Sequence, residues 1–430
     1  MDLEVIAEKQ TVDYEYECRA LDIVKKFVIE RKLIIYGGMA INFALKLKGS
    51  SIYRNDEKPD IDTFSDDPVK NAYDLADILK EKGFLNVAVI RGVHVSTMRV
   101  RTNFIYVMDI SYVEPKIYKN IPTINFNNMH IVHPLYQRMD MHISLSFPFG
   151  GSPRENIFNR WEKDYERLML IDQHYPVPEQ EFKGKFKSIK IPIPKGAFGL
   201  MGFAAYGAIY TTLLELCSRV KEKIIDVPKI KIAASKAEMS IETPEETFTI
   251  IKCLGSNETA EDLTNAAHNG DKLPPSHVEN DLEIYYLKTQ LLGANLVKIN
   301  DIMFTCVNIH YVMLYMLAKY FITLDNLYLT FYNATWKIVH FADEIFRKHG
   351  IEQFLVNSPF SFNTKTIGTE NVDKSYLVRM AKNIRATRDR EHIPKDLDKL
   401  VLTILDKLPK EYYDTRPTAQ YDYKNLEFNL

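Results

Sequence analysis

Apolar positions near the start of the chain recur at helical spacing. Tyr16, Ala20, Ile23, Phe27 and Ile29 predict a helix within residues 1–33. KLIIY, at 32–36, then reads as a short buried strand and stops at two glycines. MAINFALKLK returns to helical spacing, with Met39, Phe43 and Leu47 in line and Ile41, Ala44 and Leu45 beside them. Residues 67–84 form an amphipathic pattern that ends at Gly83, a C-cap glycine. Residues 86–110 alternate and predict strands of one mixed sheet, with His94 as an ordinary core or surface histidine. Residues 155–171 predict a long helix.

The second half of the chain is less regular. Residues 196–214 carry no charge over 19 positions, close to the ~20 that cross a bilayer. Four glycines, two tyrosines, two threonines and the adjacent Glu215 argue instead for a buried helix. Residues 283–323 read as apolar and helical, and 333–350 as a further helix ending at Gly350. Residues 256–280 are polar with a Pro-Pro pair and predict a surface excursion. The pattern divides the chain into a domain at 1–184 and a second, mainly helical domain with some strands at 185–430, packed across a cleft from the first. The fold class expected is α+β.

Composition narrows the function classes. With 46% apolar residues over 430 positions the chain can bury real cores. A net charge of −2 excludes a protein that is basic all over, so any polyanion must meet a local patch. Cys18, Cys217, Cys253 and Cys306 are too scattered for a thiolate metal cluster or a disulfide scaffold, and fit a reducing compartment. MDLEVIAEKQ lacks the apolar core of a secretory signal.

The candidate chemistry lies in three short stretches. Gly37-Gly38 between a strand and a helix serves any tight turn; it also lets a phosphate approach outward-pointing helix-start amides. In KPDIDTFS, Asp60 and Asp62 are two apart, so in a strand they share a face while Ile61 turns to the core. Like charges side by side suit a solvated strand end or a bound cation. Asp109 interrupts the apolar run NFIYVMDISYV. Beside the Asp60–Asp62 strand it completes a three-carboxylate site able to hold two Mg²⁺ ions about 3.5–4 Å apart. One ion there draws a proton from a hydroxyl nucleophile and the other holds a triphosphate. Together the three signals point to metal-dependent nucleotidyl transfer.

YGGMAIN, DIDTFS and VMDISY in this order resemble the nucleotidyltransferase pattern of the DNA polymerase beta superfamily. With PLYQRMDMHISLSFP and RENIFNRWEKDYERLMLI after them, the wording resembles the poly(A) polymerase catalytic subunits of large cytoplasmic DNA viruses, poxviruses and giant viruses. The resemblance covers roughly residues 30–175. It implies a polymerase beta-like mixed-sheet domain and template-independent addition of AMP from ATP to an RNA 3′-hydroxyl. The family's metal-binding aspartates fall on Asp60, Asp62 and Asp109, serving Mg²⁺ or its substitute Mn²⁺. The phosphate-binding turn falls on Gly37 and Gly38. Two features depart from the superfamily: Gly38 stands where many members have serine, and residues 48–58 form an extra loop. The resemblance also implies the host-cell cytoplasm, at viral factories, and the virion as locations, and a processivity subunit or a second copy of the chain as partner.

Basic residues supply further candidates. Arg160, Lys163 and Arg167 lie along one helix face, paired with Glu162, Asp164 and Glu166 or, for Arg160 and Lys163, reaching the triphosphate. Lys183, Lys185 and Lys187 alternate beside Phe182 and Phe186, as in a nucleic-acid-binding edge or a polar strand face. Residues 374–395 are basic, densest at Arg385, Arg388 and Arg390, an RNA-backbone contact or a solvated helix face. A tyrosine-rich tail follows. Two other functions compete: a noncatalytic RNA-binding or processivity protein on a transferase fold, and a transferase acting on tRNA ends or a small molecule.

Overall fold

In the computed structural model, which describes residues 12–54, 57–92, 96–146, 157–253, 276–287, 293–350 and 365–366, the N-terminal pattern forms helix α1 (Val12–Arg31). There follow β1 (Ile34–Tyr36), α2 (Gly37–Lys46), β2 (Ile61–Ser65), α3 (Pro68–Glu81), β3 (Ala88–Arg91), β4 (Thr97–Thr102) and β5 (Ile105–Tyr112). The series ends with α4 (Pro115–Tyr118), β6 (Thr123–Phe126), β7 (Met129–Val132), α5 (Pro134–Ser146) and α6 (Ile157–His174). The strands make one mixed sheet in the order β3-β4-β5-β2-β1-β7-β6. β1 runs parallel to β7 and β2 parallel to β5, while β1 and β2 are antiparallel.

Alternation along these strands sorts the sheet into two faces. Ile35, Ile61, Met108 and Ile110 enter a core with Val24, Phe27, Phe43, Leu75 and Leu79 from α1, α2 and α3. The residues between them, Tyr36, Asp62 and Asp109, are therefore turned to the other face. There Ile34 and Val132 pack with Ile121, Tyr36, Phe64 and Tyr136 in a smaller cluster. α3 begins with Asp67 accepting from the Lys70 amide and Pro68 opening the helix. It ends before Gly83, which takes φ +81°.

The described residues fall into two compact units. One contains the described residues up to Asp140 together with Glu166–Pro176; the other contains Met141–Tyr165 and the described residues from Val177 onward. The division runs through α5 and α6, whereas the sequence pattern suggests a single boundary at 184/185.

The second unit is built from β8 (Lys187–Pro192), β9 (Gly199–Leu200), α7 (Gly202–Val220), β10 (Lys231–Ala234), β11 (Glu238–Thr243) and β12 (Phe248–Cys253). β13 (Ser276–Glu279), β14 (Leu282–Leu287), β15 (Gly293–Ile299), β16 (Ile302–Val307), α8 (Ile309–Thr323), α9 (Asn326–Lys348) and β17 (Lys365–Thr366) complete it. Its strands form a sheet β10-β11-β8 and a larger one, β13-β14-β12-β9-β16-β15-β17. The uncharged stretch at 196–214 is indeed largely a buried helix, α7. Among the described residues no helix is long and apolar enough to cross a membrane.

The described parts of 283–307 correct the sequence reading: 283–287, 293–299 and 302–307 lie in strands, and helix begins only at Ile309. The reason is a period of two. Val297, Ile299, Phe304 and Cys306 are buried while Met303 faces out, and Asn300-Asp301 turn the chain with φ 47° and 65°. Paired positive φ marks the hairpin turn that suits strand twist. Asn103-Phe104, Asn127-Asn128 and Asn280-Asp281 repeat it. The N-terminal part of the polar excursion at 256–280, His94, the basic segment 374–395 and the tyrosine-rich tail lie outside the described residues.

Candidate active site

The three aspartates predicted from spacing meet. Asp62 lies opposite Asp109 in the parallel β2–β5 pair, and Asp60 lies immediately before β2. One carboxylate oxygen from each of Asp60, Asp62 and Asp109 lies within 4.8 Å of the others. Asp60 is the most open to solvent and Asp109 is buried. Asp62 bears the electrostatic cost. Burial, then the carboxylates of Asp60 and Asp109, push its pKa up to about 8, against the opposing pull of Arg99 and Arg167.

Such a donor set, all hard oxygen and with three carboxylates against the two guanidiniums of Arg99 and Arg167, fits a divalent cation of the Mg²⁺ class. At pH 7 Asp62 in the metal-free protein is largely protonated, and coordination requires it ionised. Binding Mg²⁺ at pH 7 is therefore expected to release close to one proton, and fewer as pH rises past 8. Calorimetry in buffers of different ionisation enthalpy measures the count. Asp140, pushed up to about 7 by burial, titrates in the same range. Asp62→Asn separates the two, and an unchanged proton count in that variant would refute the assignment.

Arg99 was not anticipated from the sequence. Its Nε donates to Asp109 Oδ1 at 2.6 Å, its Nη2 donates to Oδ2, and its guanidinium lies 4.4 Å from the Tyr106 ring centroid. Behind the carboxylates, Tyr36 stacks on Phe64 at 3.9 Å, and a hydroxyl chain joins Tyr36 to Ser111 at 2.8 Å and Ser111 to Thr97 at 2.7 Å.

The glycine turn lies against this cluster. Gly37 takes φ +67° as β1 becomes α2, and a Cβ on it would stand 2.8 Å from Asp62 Oδ2. Its amide is already occupied, donating to Gln137 Oε1 at 3.2 Å. The helix-start amides without an intrahelical acceptor are then those of Gly38 and Met39. Over Gly38 lie the Tyr53 hydroxyl and the Arg167 guanidinium, which donates to that hydroxyl at 3.0 Å. Of the described basic residues at this helical spacing, Arg167 lies beside the turn. Lys163 is exposed and belongs to the second unit; the Arg160 side chain lies outside the described residues.

The predicted RNA contacts fare differently. Lys187 opens the edge strand β8 and pairs with Glu246, and Lys183 lies 3.5 Å from Glu181. Lys190 lies 3.8 Å from Glu238. Phe182 and Phe186 stack on each other at 5.1 Å. This surface is one of lysine–glutamate pairs, with Lys185 in the irregular segment before it. Arg385, Arg388 and Arg390 lie outside the described residues.

Comparison with known proteins bears on the family and the fold. The sequence model of the family described as poly(A) polymerase catalytic subunit matches residues 22–151. The protein assigned as poly(A) polymerase catalytic subunit in African swine fever virus is 34% identical over 466 residues, covering 99% of this chain and 95% of that protein. Its counterpart in Acanthamoeba polyphaga mimivirus is 29% identical over 196 residues, covering 45% of this chain and 32% of its own length. Among solved structures, the Megavirus polyadenylate synthase has the same fold, with a TM-score of 0.61, 18% identity and coverage of 90% of this chain and 80% of that one. The acidic cluster thus lies in a chain that, by identity along nearly its whole length, belongs to the viral poly(A) polymerase catalytic subunit family.

Proposed function

We propose that the chain extends RNA by a two-metal reaction, in which Asp60, Asp62 and Asp109 hold two divalent cations beside the nucleotide. The supporting observation is the convergence of these carboxylates from β2 and β5 within 4.8 Å, next to a helix that opens on glycine. When bound, the cations acidify the RNA 3′-hydroxyl and neutralise charge on the triphosphate. The 3′-hydroxyl gives up its proton to solvent, its oxygen forms a bond to the α-phosphorus of ATP, the bond from that phosphorus to the bridging oxygen of the β-phosphate breaks, and pyrophosphate leaves with the pair of electrons. In this reading Asp109, both of whose oxygens accept from Arg99, serves the attacking hydroxyl. A chain that has lost its chemistry and only binds RNA has no need for this costly cluster, whose repulsion burial alone makes worse. RNA contact is confined to local tracts by the net charge of −2, and a second subunit or a second copy of the chain lengthens that track. The host-cell cytoplasm is the expected place of action.

The experiment is direct. Purified protein with Mg²⁺, end-labelled RNA and one nucleotide at a time is expected to give a ladder of lengthening products with ATP. Equal incorporation of all four nucleotides, or extension of tRNA ends alone, would overturn the reading. No extension with any substrate would favour the noncatalytic alternative.

A further inference from the structure

Two side chains fill the space over Gly38. A Cβ built there would strike Tyr53 Oη and lie 3.6 Å from Arg167 Nη1. Neither group is held loosely. Asn42, buried on α2 one turn after Gly38, accepts from the amides of Ile52 and Tyr53 at 3.1 and 3.2 Å, fixing the loop that brings Tyr53 back to the helix that Gly37 opens. α6, which carries Arg167, is tied down a turn later. The buried Arg138 donates to Asp172 Oδ1 at 2.8 Å and to the Tyr175 carbonyl at 2.9 Å, and the Tyr175 hydroxyl donates to the Ala44 carbonyl of α2 at 2.6 Å.

The pair also faces the acidic cluster, since Arg167 is within electrostatic reach of Asp62, and Asp62 and Asp60 of Tyr53. A phenol hydroxyl and a guanidinium therefore stand together at the first amides of α2 and beside the metal-type carboxylates. A triphosphate spanning from those carboxylates to the helix start would lie against both groups. Hydroxyl and guanidinium are both donors, and a guanidinium matches phosphoryl oxygens in charge and in fork geometry. Burial raises the Tyr53 phenol above its ordinary range, which keeps its proton in place as a donor.

The geometry points to Tyr53 and Arg167 as ligands of the β- and γ-phosphates of the nucleotide, an assignment that rests on the proposed reaction. The segment at 48–54 thereby acquires a function: its Tyr53 supplies over Gly38 a hydroxyl that position 38 itself lacks. The two positions become interchangeable in one respect, because a serine at 38 would place its own oxygen where Tyr53 Oη lies, once the tyrosine is shortened.

Binding of ATP and of AMP in the presence of Mg²⁺, measured by calorimetry, tests this. Tyr53→Phe keeps the ring and loses only the hydroxyl. It should weaken ATP about tenfold while leaving AMP within about twofold, and raise KM for ATP more than it lowers kcat. Arg167→Gln should do the same more strongly, and provides the reading if Tyr53→Phe does not fold. Tyr53→Ala should lose ATP affinity, and adding Gly38→Ser to it should recover most of the loss. An unchanged ATP-to-AMP ratio in folded Tyr53→Phe and Arg167→Gln, in a chain whose unmodified form binds ATP and makes tails, would overturn this assignment alone. Equal weakening of both nucleotides would show a structural role and overturn it too. A wild-type chain that binds no ATP would overturn the proposed reaction with it.

Discussion

Asp62→Asn should lower the rate of tail addition by about a thousandfold or more while making the metal-free protein more stable. The loss follows from the proposed two-metal reaction, in which Asp62 is a central ligand of the cations that stabilise charge in the transition state. The gain follows from linkage. The carboxyl of Asp62 is raised from 3.8 to about 8 by burial and by Asp60 and Asp109. A folded-state pKa above the unfolded one means that the unfolded chain ionises first, so this group destabilises the fold increasingly as pH rises from about 4 to 8. Asparagine removes that penalty. The melting temperature of metal-free Asp62→Asn should exceed wild type by at least about 2 °C at pH 8 and match it near pH 4. Saturating Mg²⁺ should stabilise wild type and leave the variant nearly unmoved. A variant that extends RNA at the wild-type rate, or that melts below wild type at pH 8, would contradict the assignment.

Gly37→Ala should lower activity by about a hundredfold, and a second glycine shows why strain is not the cause. Gly37 and Gly49 both take left-handed backbone, φ +67° and +77°. An alanine in either costs roughly 1–2 kcal/mol of stability from that conformation. Around Gly49 nothing lies within 4 Å of an added Cβ, whereas at Gly37 the Cβ stands 2.8 Å from Asp62 Oδ2. Both variants should lose similar stability in chemical denaturation. Only Gly37→Ala should displace the carboxylate and lose catalysis, since a displacement of about 1 Å at reacting groups is worth about a hundredfold. Full activity in Gly37→Ala, or an equal loss in Gly49→Ala, would separate the turn from the metal site.

Much of the first unit is legible without coordinates because its signals are local. The apolar spacing of α1 and α3, the alternation of β3–β5 and the two-residue interval between Asp60 and Asp62 all follow from the helix and strand periods. They decide which side chains leave the core together. The reading of 293–307 as helix fails because apolar content outweighs a period of two, and because the turn at Asn300-Asp301 is a backbone conformation that its residues permit without announcing.

What the chain alone determined is the set of carboxylates and the glycines that must lie close to them, since strand alternation and the need for a residue without a Cβ are properties of short segments. Tertiary structure decided what surrounds them. Arg99 faces Asp109 only because a bulge at Val100/Arg101 shifts the β4–β5 register by one; without it Met98 would stand there. Tyr53, Gln137 and Arg167 reach the turn from segments 15, 100 and 129 positions beyond Gly38, Gly37 and Gly38 respectively. No periodicity carries such distances, because they are set by how helices and loops pack on a finished sheet.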